Sequence, residues 1–388
     1  MSEEKTNLNV NVLHEFDTGY YSDSVEWCPI PNYHNILACG TYQLLENIPE
    51  EENPDKIQIR LGRLFLFKTK NVGNSNKLDC IPIQDIDMPG ILDMKWSHKL
   101  IGDSPMLAVA NSIGQVVFLS ASSTPGGDDL HDVAGGDVSL LFHDRIDVRE
   151  EGDLKTLALS LDWSNGIGGQ TDDGSGAVVV EAGSSNVKIC VSDSKGRISL
   201  IDVASNAVTN SFHAHDYEAW ICAFDYFHPD IVLSGGDDVK LKRWDLRMDP
   251  ASSGPTHVNS KAHSAGVCSL RAHPFREHYL ASGSYDENVL VWDLRNFKRP
   301  MSETHVGGGV WRLKWRPDDG KALLCACMHG GAHVLGFPDD DFSKEGEKIA
   351  SYFGHPTITY GGDFSHGDTG VIATAAFYDH QMHLWEIK

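Results

Sequence analysis

The chain has 388 residues, 41% of them hydrophobic, with 37 glycines, 16 prolines and a formal net charge of −23. That acidic excess argues against nucleic acid or an anionic membrane surface as the main partner, because both are gripped by clustered Lys and Arg. The N-terminus, Met1-Ser2-Glu3-Glu4-Lys5, has no apolar signal core and no apolar run nears the length of a membrane span, so a cytoplasmic protein is expected.

In chain order, the first predicted element covers about residues 8–16 and alternates like a strand, with no neighbour in the segment that follows. Period-2 apolar runs then recur at 24–27, 36–39 and 64–67, at 91–96, 107–110 and 116–119, and at 157–163, 188–190 and 198–201. The acidic stretch 46–56 and the Gly/Asp-rich stretches 120–137 and 164–176 read as loop insertions at the surface. Next comes a repeat. His215, Ser234, Asp238 and Trp244-Asp245 return as His263, Ser282, Asp286 and Trp292-Asp293, each offset by about 48 residues, near the length of one propeller blade. Further runs open at 310–315 and close the chain at 383–386. The expected fold is an all-β, seven-bladed WD-repeat β-propeller forming a single domain over 1–388. Its last blade has only three strands of its own, so the N-terminal strand is expected to supply the fourth and remove an exposed sheet edge.

Several motifs carry less than they suggest. Asp17-Thr18-Gly19 and Asp368-Thr369-Gly370 resemble a paired-carboxylate protease, but that chemistry needs both aspartates on mirrored loops sharing a proton, and turn formation explains each copy. Cys325, Cys327, His329 and His333 have a metal-like cadence, yet the template puts them along adjacent strands, where small buried thiols are the plainer reading. The eight cysteines are expected to be reduced. No phosphate-cradling loop, dinucleotide fingerprint or Gly-x-Ser-x-Gly elbow occurs, and neither metal nor cofactor is expected.

The template singles out one rim. Asp237, Tyr285, His329 and Tyr378 precede the turn aspartate or its equivalent, and loops entering the blades bring Glu218, Trp220, Trp311, Arg312 and Tyr360 to the same end. In blade six Gly330 replaces the turn aspartate, so His329 stands outside the usual network, and His380 follows Asp379 in blade seven. Aromatic faces attract quaternary ammonium groups, imidazole can take a proton from water, and an Arg can stabilise an oxyanion.

The segments between the repeats resemble a particular family. DSVEWCP (23–29), LACGTYQ (37–43), ILDMKW (91–96), LALSLDWS (157–164), EAWI (218–221), GGVWRLKW (308–315), ACMH (326–329) and FYDH (377–380) are similar to the WD-repeat diphthine methyl ester hydrolases. The resemblance implies a carboxyl methylesterase that acts on elongation factor 2 carrying methylated diphthine. Such an enzyme releases methanol and leaves diphthine for later amidation. By position, His329 or His380 is the expected general base and Arg312 the oxyanion support. Trp220, Trp311, Tyr285 and Tyr378, with Glu218, are the expected ammonium binders. The competing reading is a non-catalytic scaffold. Trp244-Asp245-Leu246-Arg247 and Trp292-Asp293-Leu294-Arg295 match the boxes by which substrate receptors meet a cullin-ligase adaptor, with Arg247 and Arg295 at the contact.

Overall fold

Seven four-stranded antiparallel sheets follow one another around an axis in the computed structural model, which describes residues 8–46, 57–71, 78–124, 137–166, 187–337, 341–367 and 370–388. Blade one runs outward through Tyr21–Trp27, Ile36–Leu44, Arg60–Asn71 and Leu78–Pro89. Blade seven contributes Thr359–Phe364, Val371–Ala376 and Gln381–Ile387, and the strand Val10–Asp17 completes it. Val10 pairs with Ile387 and Asp17 with Gln381, so the chain ends close the ring as expected. Among the described residues, no helix is long and apolar enough to cross a membrane.

One loop assignment is corrected. The stretch 120–137 contains the ends of two paired strands, Gln115–Thr124 and Asp137–Asp147, whose ladder continues from Leu119↔Phe142 to Thr124↔Asp137. Ala121, Val138 and Leu140 still alternate inward and are buried. Small serines around Ala121 hid that alternation in the sequence. The remainder of this stretch (125–136), most of 46–56, and 167–176 of the third insertion lie outside the described residues. The turn reading of Asp17-Thr18-Gly19 agrees with the geometry: the Gly19 amide donates to Asp17 Oδ1 at 2.8 Å, and Gly19 has φ +70°. Asp368 and Thr369 lie outside the described residues. All eight cysteines are unpaired and buried.

The repeated polar residues form one connected network per blade. In blade four, His215 lies 2.8 Å from Asp238 and 2.8 Å from the Ser234 hydroxyl, which also accepts the Trp244 indole N–H at 2.9 Å. Blade five repeats this through His263, Asp286, Ser282 and Trp292. Blade seven holds a third copy that the sequence pattern concealed, because threonine replaces serine. There Thr374 Oγ1 meets His355 at 2.9 Å and the Trp385 indole at 3.2 Å. The apolar core lies between blades rather than inside any one of them. One cluster joins Ile36 and Leu64 of blade one to Met94 and Leu107 of blade two, and another joins Met382 and Leu384 of blade seven to Val25 and Phe67 of blade one.

At the axis, the innermost strands carry buried charges. Lys314 of blade six pairs with Glu26 of blade one and with Asp363 of blade seven at 3.4 Å. Arg271 of blade five reaches Asp162 of blade three at 3.6 Å. Contacts between non-adjacent blades require these side chains to meet near the axis.

Two predictions follow from this packing. Ser282→Ala leaves both the His263 Nε2 and the Trp292 N–H buried without their partner, and is expected to cost about 1–3 kcal/mol in urea unfolding. The second concerns His273, whose Nδ1 accepts the Phe275 and Arg276 amides at 3.0 Å while Nε2–H donates to Gly320 O at 3.0 Å. Burial pushes its pKa down to about 4 from 6.5, with the Gly320 contact opposing. The unfolded imidazole therefore takes a proton that the folded one refuses. Its contribution to stability is intact above pH 6.5 and is lost toward pH 4, by up to about 1.4 kcal/mol per pH unit. In urea titrations His273→Asn should flatten the wild-type slope across that window.

Candidate functional site

The histidine and turn aspartate of each network lie in different loops yet touch, so the loops entering each blade and the turns between its second and third strands share one end of the propeller. That end carries a continuous aromatic surface. Trp220, Tyr285 and Trp311 are mutually packed: Trp220 lies 6.2 Å from Tyr285 and 5.7 Å from Trp311, and Tyr285 lies 6.1 Å from Trp311. Trp311 stacks on Tyr360 at 4.8 Å, Tyr360 meets Phe377 at 5.4 Å, and Phe377 meets Tyr21 at 4.8 Å. Three of the four aromatic residues expected to bind ammonium are thus brought together. Tyr378, 57% exposed, lies farther along the rim, against Phe377 and Tyr21.

Acidic groups border the trio. The Trp220 indole donates to Asp237 Oδ1 at 3.1 Å, and the half-buried Glu218 accepts the Asp237 amide through its own carbonyl at 2.9 Å. Two glycines let the entering loop of blade six pass this close. A Cβ on Gly308 would fall 2.0 Å from the Cys327 carbonyl oxygen, and one on Gly309 would fall 2.8 Å from Met328 Sδ.

The two histidines occupy different places. His329 is exposed in a tight turn closed by Gly330 N–H donating to Cys327 O at 2.6 Å and Gly331 N–H to Met328 O at 3.2 Å. Tyr285 and Met328 both border Gly309, so this turn sits beside the aromatic trio. His380 packs instead on Tyr21 at 4.9 Å. Its carbonyl accepts the Thr18 amide and hydroxyl, both at 2.9 Å.

Arg312 is not on the rim surface. It is 7% exposed, turned into the channel, and pairs with Asp93 of blade two at 2.9 Å. Its strand runs inward immediately after Trp311, and a charge at that depth needs a counter-charge more than it needs solvent. Burial works against the guanidinium charge, but Asp93, Glu26 and Asp23 outweigh it and hold its pKa above the ordinary arginine value.

That neighbourhood contains a group which sequence reasoning missed. Asp23, 4% exposed, has a carboxyl oxygen without a hydrogen-bond partner. Burial pushes its pKa up to about 8, with Arg312 pulling it down and Asp93 pushing it up. It also acts on Tyr360 of the rim, so it lies beneath the aromatic surface. The strand that carries it, Tyr21–Trp27, also holds Ser22, Ser24 and Glu26, so its sequence does not single Asp23 out. A neutral buried carboxyl can donate a hydrogen bond at neutral pH, as an ionised one cannot.

A small cavity lies at the other end of the axis, lined in part by His98, Tyr226 and His366. Its charged lining, Glu26, Lys314, Asp363 and Arg271, is engaged in the axial ion pairs.

Residues 255–293 match the family model described as WD domain, G-beta repeat. A human protein named diphthine methyltransferase is 37% identical over 91% of this chain and 74% of its own length. A diphthine methyltransferase homolog from Dictyostelium discoideum is 34% identical over 94% of this chain and 96% of its own length. The Schizosaccharomyces pombe diphthine methyltransferase is 31% identical over 91% of each. A chain in a crystal structure of the mitotic checkpoint complex superposes with a TM-score of 0.64 at 16% identity, covering 100% of this chain and 96% of that one, which shows the fold alone.

The raised pKa of Asp23 has a measurable consequence. The unfolded carboxyl loses its proton near 3.8 and the folded one near 8, so the folded state holds the extra proton between these values. The contribution of Asp23 to stability is largest below pH 3.8 and is lost as pH rises to about 8. Relative to wild type, Asp23→Asn should gain stability between pH 5 and pH 8, by up to about 1.4 kcal/mol per pH unit. Urea unfolding at both pH values reads the difference.

Proposed function

This chain belongs to the diphthine methyltransferase family, and from that premise we propose that it is a carboxyl methylesterase of diphthamide biosynthesis. Its substrate in this reading is elongation factor 2 bearing the methyl ester of diphthine. The aromatic trio Trp220, Tyr285 and Trp311, bordered by Asp237 and Glu218, carries the proposal, because such a surface suits the trimethylammonium group that lies near the ester. A net charge of −23 favours a cationic side chain on a protein partner.

The chemistry needs only water. His329, in the turn beside the trio, takes a proton as the water oxygen attacks the ester carbonyl carbon. The tetrahedral oxyanion then collapses, the bond from carbon to the methoxy oxygen breaks, and the methoxy group leaves with a proton as methanol. The products are diphthine carboxylate and methanol. Asp23, neutral at pH 7 and placed below Tyr360, is the proposed hydrogen-bond donor to the developing negative charge. Arg312 acts through Asp93 and Asp23 and is a positioning residue. His380, on the far side of Tyr21, is the second candidate base.

The names of the relatives specify methyl transfer, and the two reactions move the mass of the substrate in opposite directions. Intact mass of methyl-esterified elongation factor 2 should fall by one methylene on incubation with this protein, with methanol released. A rise by one methylene with a methyl donor present would establish transfer instead. His329→Ala is expected to lower kcat by about 100-fold or more, and Trp311→Ala to raise KM chiefly. Unchanged hydrolysis in both His329→Ala and His380→Ala would remove imidazole from the mechanism.

The scaffold reading has its own geometric support. Arg247 and Arg295, 70% and 63% exposed at the side chain, fold back identically on Asp245 and Asp293. Two matched guanidinium groups at the end opposite the rim would suit a ligase adaptor. If that role exists, Arg247→Ala with Arg295→Ala should abolish adaptor capture while leaving hydrolysis intact.

A further inference from the structure

We propose that the end of the propeller opposite the aromatic rim carries a binding site for a divalent ion of the zinc class, held by His228, Glu277 and His278. The three residues come from two blades. His228 follows the innermost strand of blade four, Ile221–Asp225, and opens the next strand, His228–Gly235. Glu277 and His278 precede Tyr279–Ser284 in the corresponding connection of blade five.

Two of the three donor pairs stand at ligand spacing. Glu277 Oε1 lies 3.1 Å from His228 Nε2 and 3.5 Å from His278 Nε2. Around a tetrahedral ion with bonds of about 2.1 Å, neighbouring ligand atoms are about 3.4 Å apart. The two imidazoles are parallel within 4°, with centroids 5.2 Å apart, so both present Nε2 toward the same carboxylate oxygen. Behind His228, Asp225 Oδ2 meets Nδ1 at 3.0 Å. A carboxylate on Nδ1 fixes the tautomer that keeps the proton there and leaves the Nε2 lone pair for an ion. Donor atoms of Asp225, His228 and His278 all lie within 4.8 Å of one another.

The donor set selects the ion class. Two imidazole nitrogens and one carboxylate suit Zn²⁺, Co²⁺ or Ni²⁺, whereas Mg²⁺ and Ca²⁺ favour all-oxygen sites. Asp225 is buried while the side chains of His228, His278 and Glu277 are 40%, 27% and 52% exposed. An ion there would be rigidly backed on one side and open to solvent on the other, with a coordination position left over. Arg295 is the nearby cation acting on this corner, and Asp293 engages it. The ion would join blades four and five, and it owes nothing to the rim.

The test uses the full chain freed of metal with a chelator and titrated with Co²⁺, then Zn²⁺. One Co²⁺ per chain with the visible absorption of a low-coordinate site, displaced by Zn²⁺, is the expected result, together with a Zn²⁺-dependent rise in Tm. His228→Ala with His278→Ala should abolish both signals, and Asp225→Asn should weaken binding about 10- to 100-fold. Glu277→Gln, at an exposed side chain, keeps the test open if the histidine variants fold poorly, and it should also weaken binding by at least about 10-fold. Absence of saturable Co²⁺ or Zn²⁺ binding, or binding that survives both the double histidine variant and Glu277→Gln, would overturn the assignment.

Discussion

The contact on which the ring depends is the meeting of Lys314 with Glu26 and Asp363 at the axis. Each side chain is almost fully buried, and an unpaired charge at that depth costs several kcal/mol. The partners belong to blades six, one and seven, so no single blade can satisfy them. Arg271 with Asp162 and Arg312 with Asp93 extend the same requirement to blades five and three and to blades six and two. Apolar clusters hold each blade to its neighbours, whereas Lys314 with Glu26, Arg271 with Asp162 and Arg312 with Asp93 join blades that are not adjacent. Closing the last blade with the first strand of the chain brings Glu26 within reach of Lys314.

The same charges set the chemistry under the rim. Asp93 sits against both Arg312 and Lys95. Burial favours its neutral form, but the two cations prevail and hold its pKa below the usual carboxylate value. Asp23, close by, has no such pairing and takes the opposite course, its pKa rising to about 8. Two carboxyls in one low-dielectric neighbourhood are thereby driven apart in pKa, an arrangement that allows acid and base functions to coexist. Above them lies a polarisable aromatic floor whose outward border is acidic.

Much of this was legible from residues alone, for identifiable reasons. His215, Ser234, Asp238 and Trp244 repeat at fixed spacing because they must meet one another in space, and that obligation leaves a periodic trace. The blade-seven copy escaped notice because a hydroxyl on Thr374 serves as well as one on serine. The rim aromatics were found because the template fixes which loop each residue occupies. Arg312 was misplaced because strand position gives a side chain's level along the axis without saying whether it points outward or across the channel. Asp23 was overlooked because nothing local in Tyr21–Trp27 shows that Arg312 and Asp93 will be its neighbours.

What the sequence determined by itself, then, is the all-β, seven-bladed ring, its closure by the N-terminal strand, and the end at which the aromatics gather, since all three follow from periodicity and spacing. The tertiary structure alone decided which charges pair across the axis, that Asp23 is left to keep its proton, and that Asp225, His228, Glu277 and His278 converge between two blades. The reason is physical. Period and hydrogen-bonding pattern are properties of neighbours along the chain, whereas the environment of a buried charge is set by groups that meet only when the ring closes.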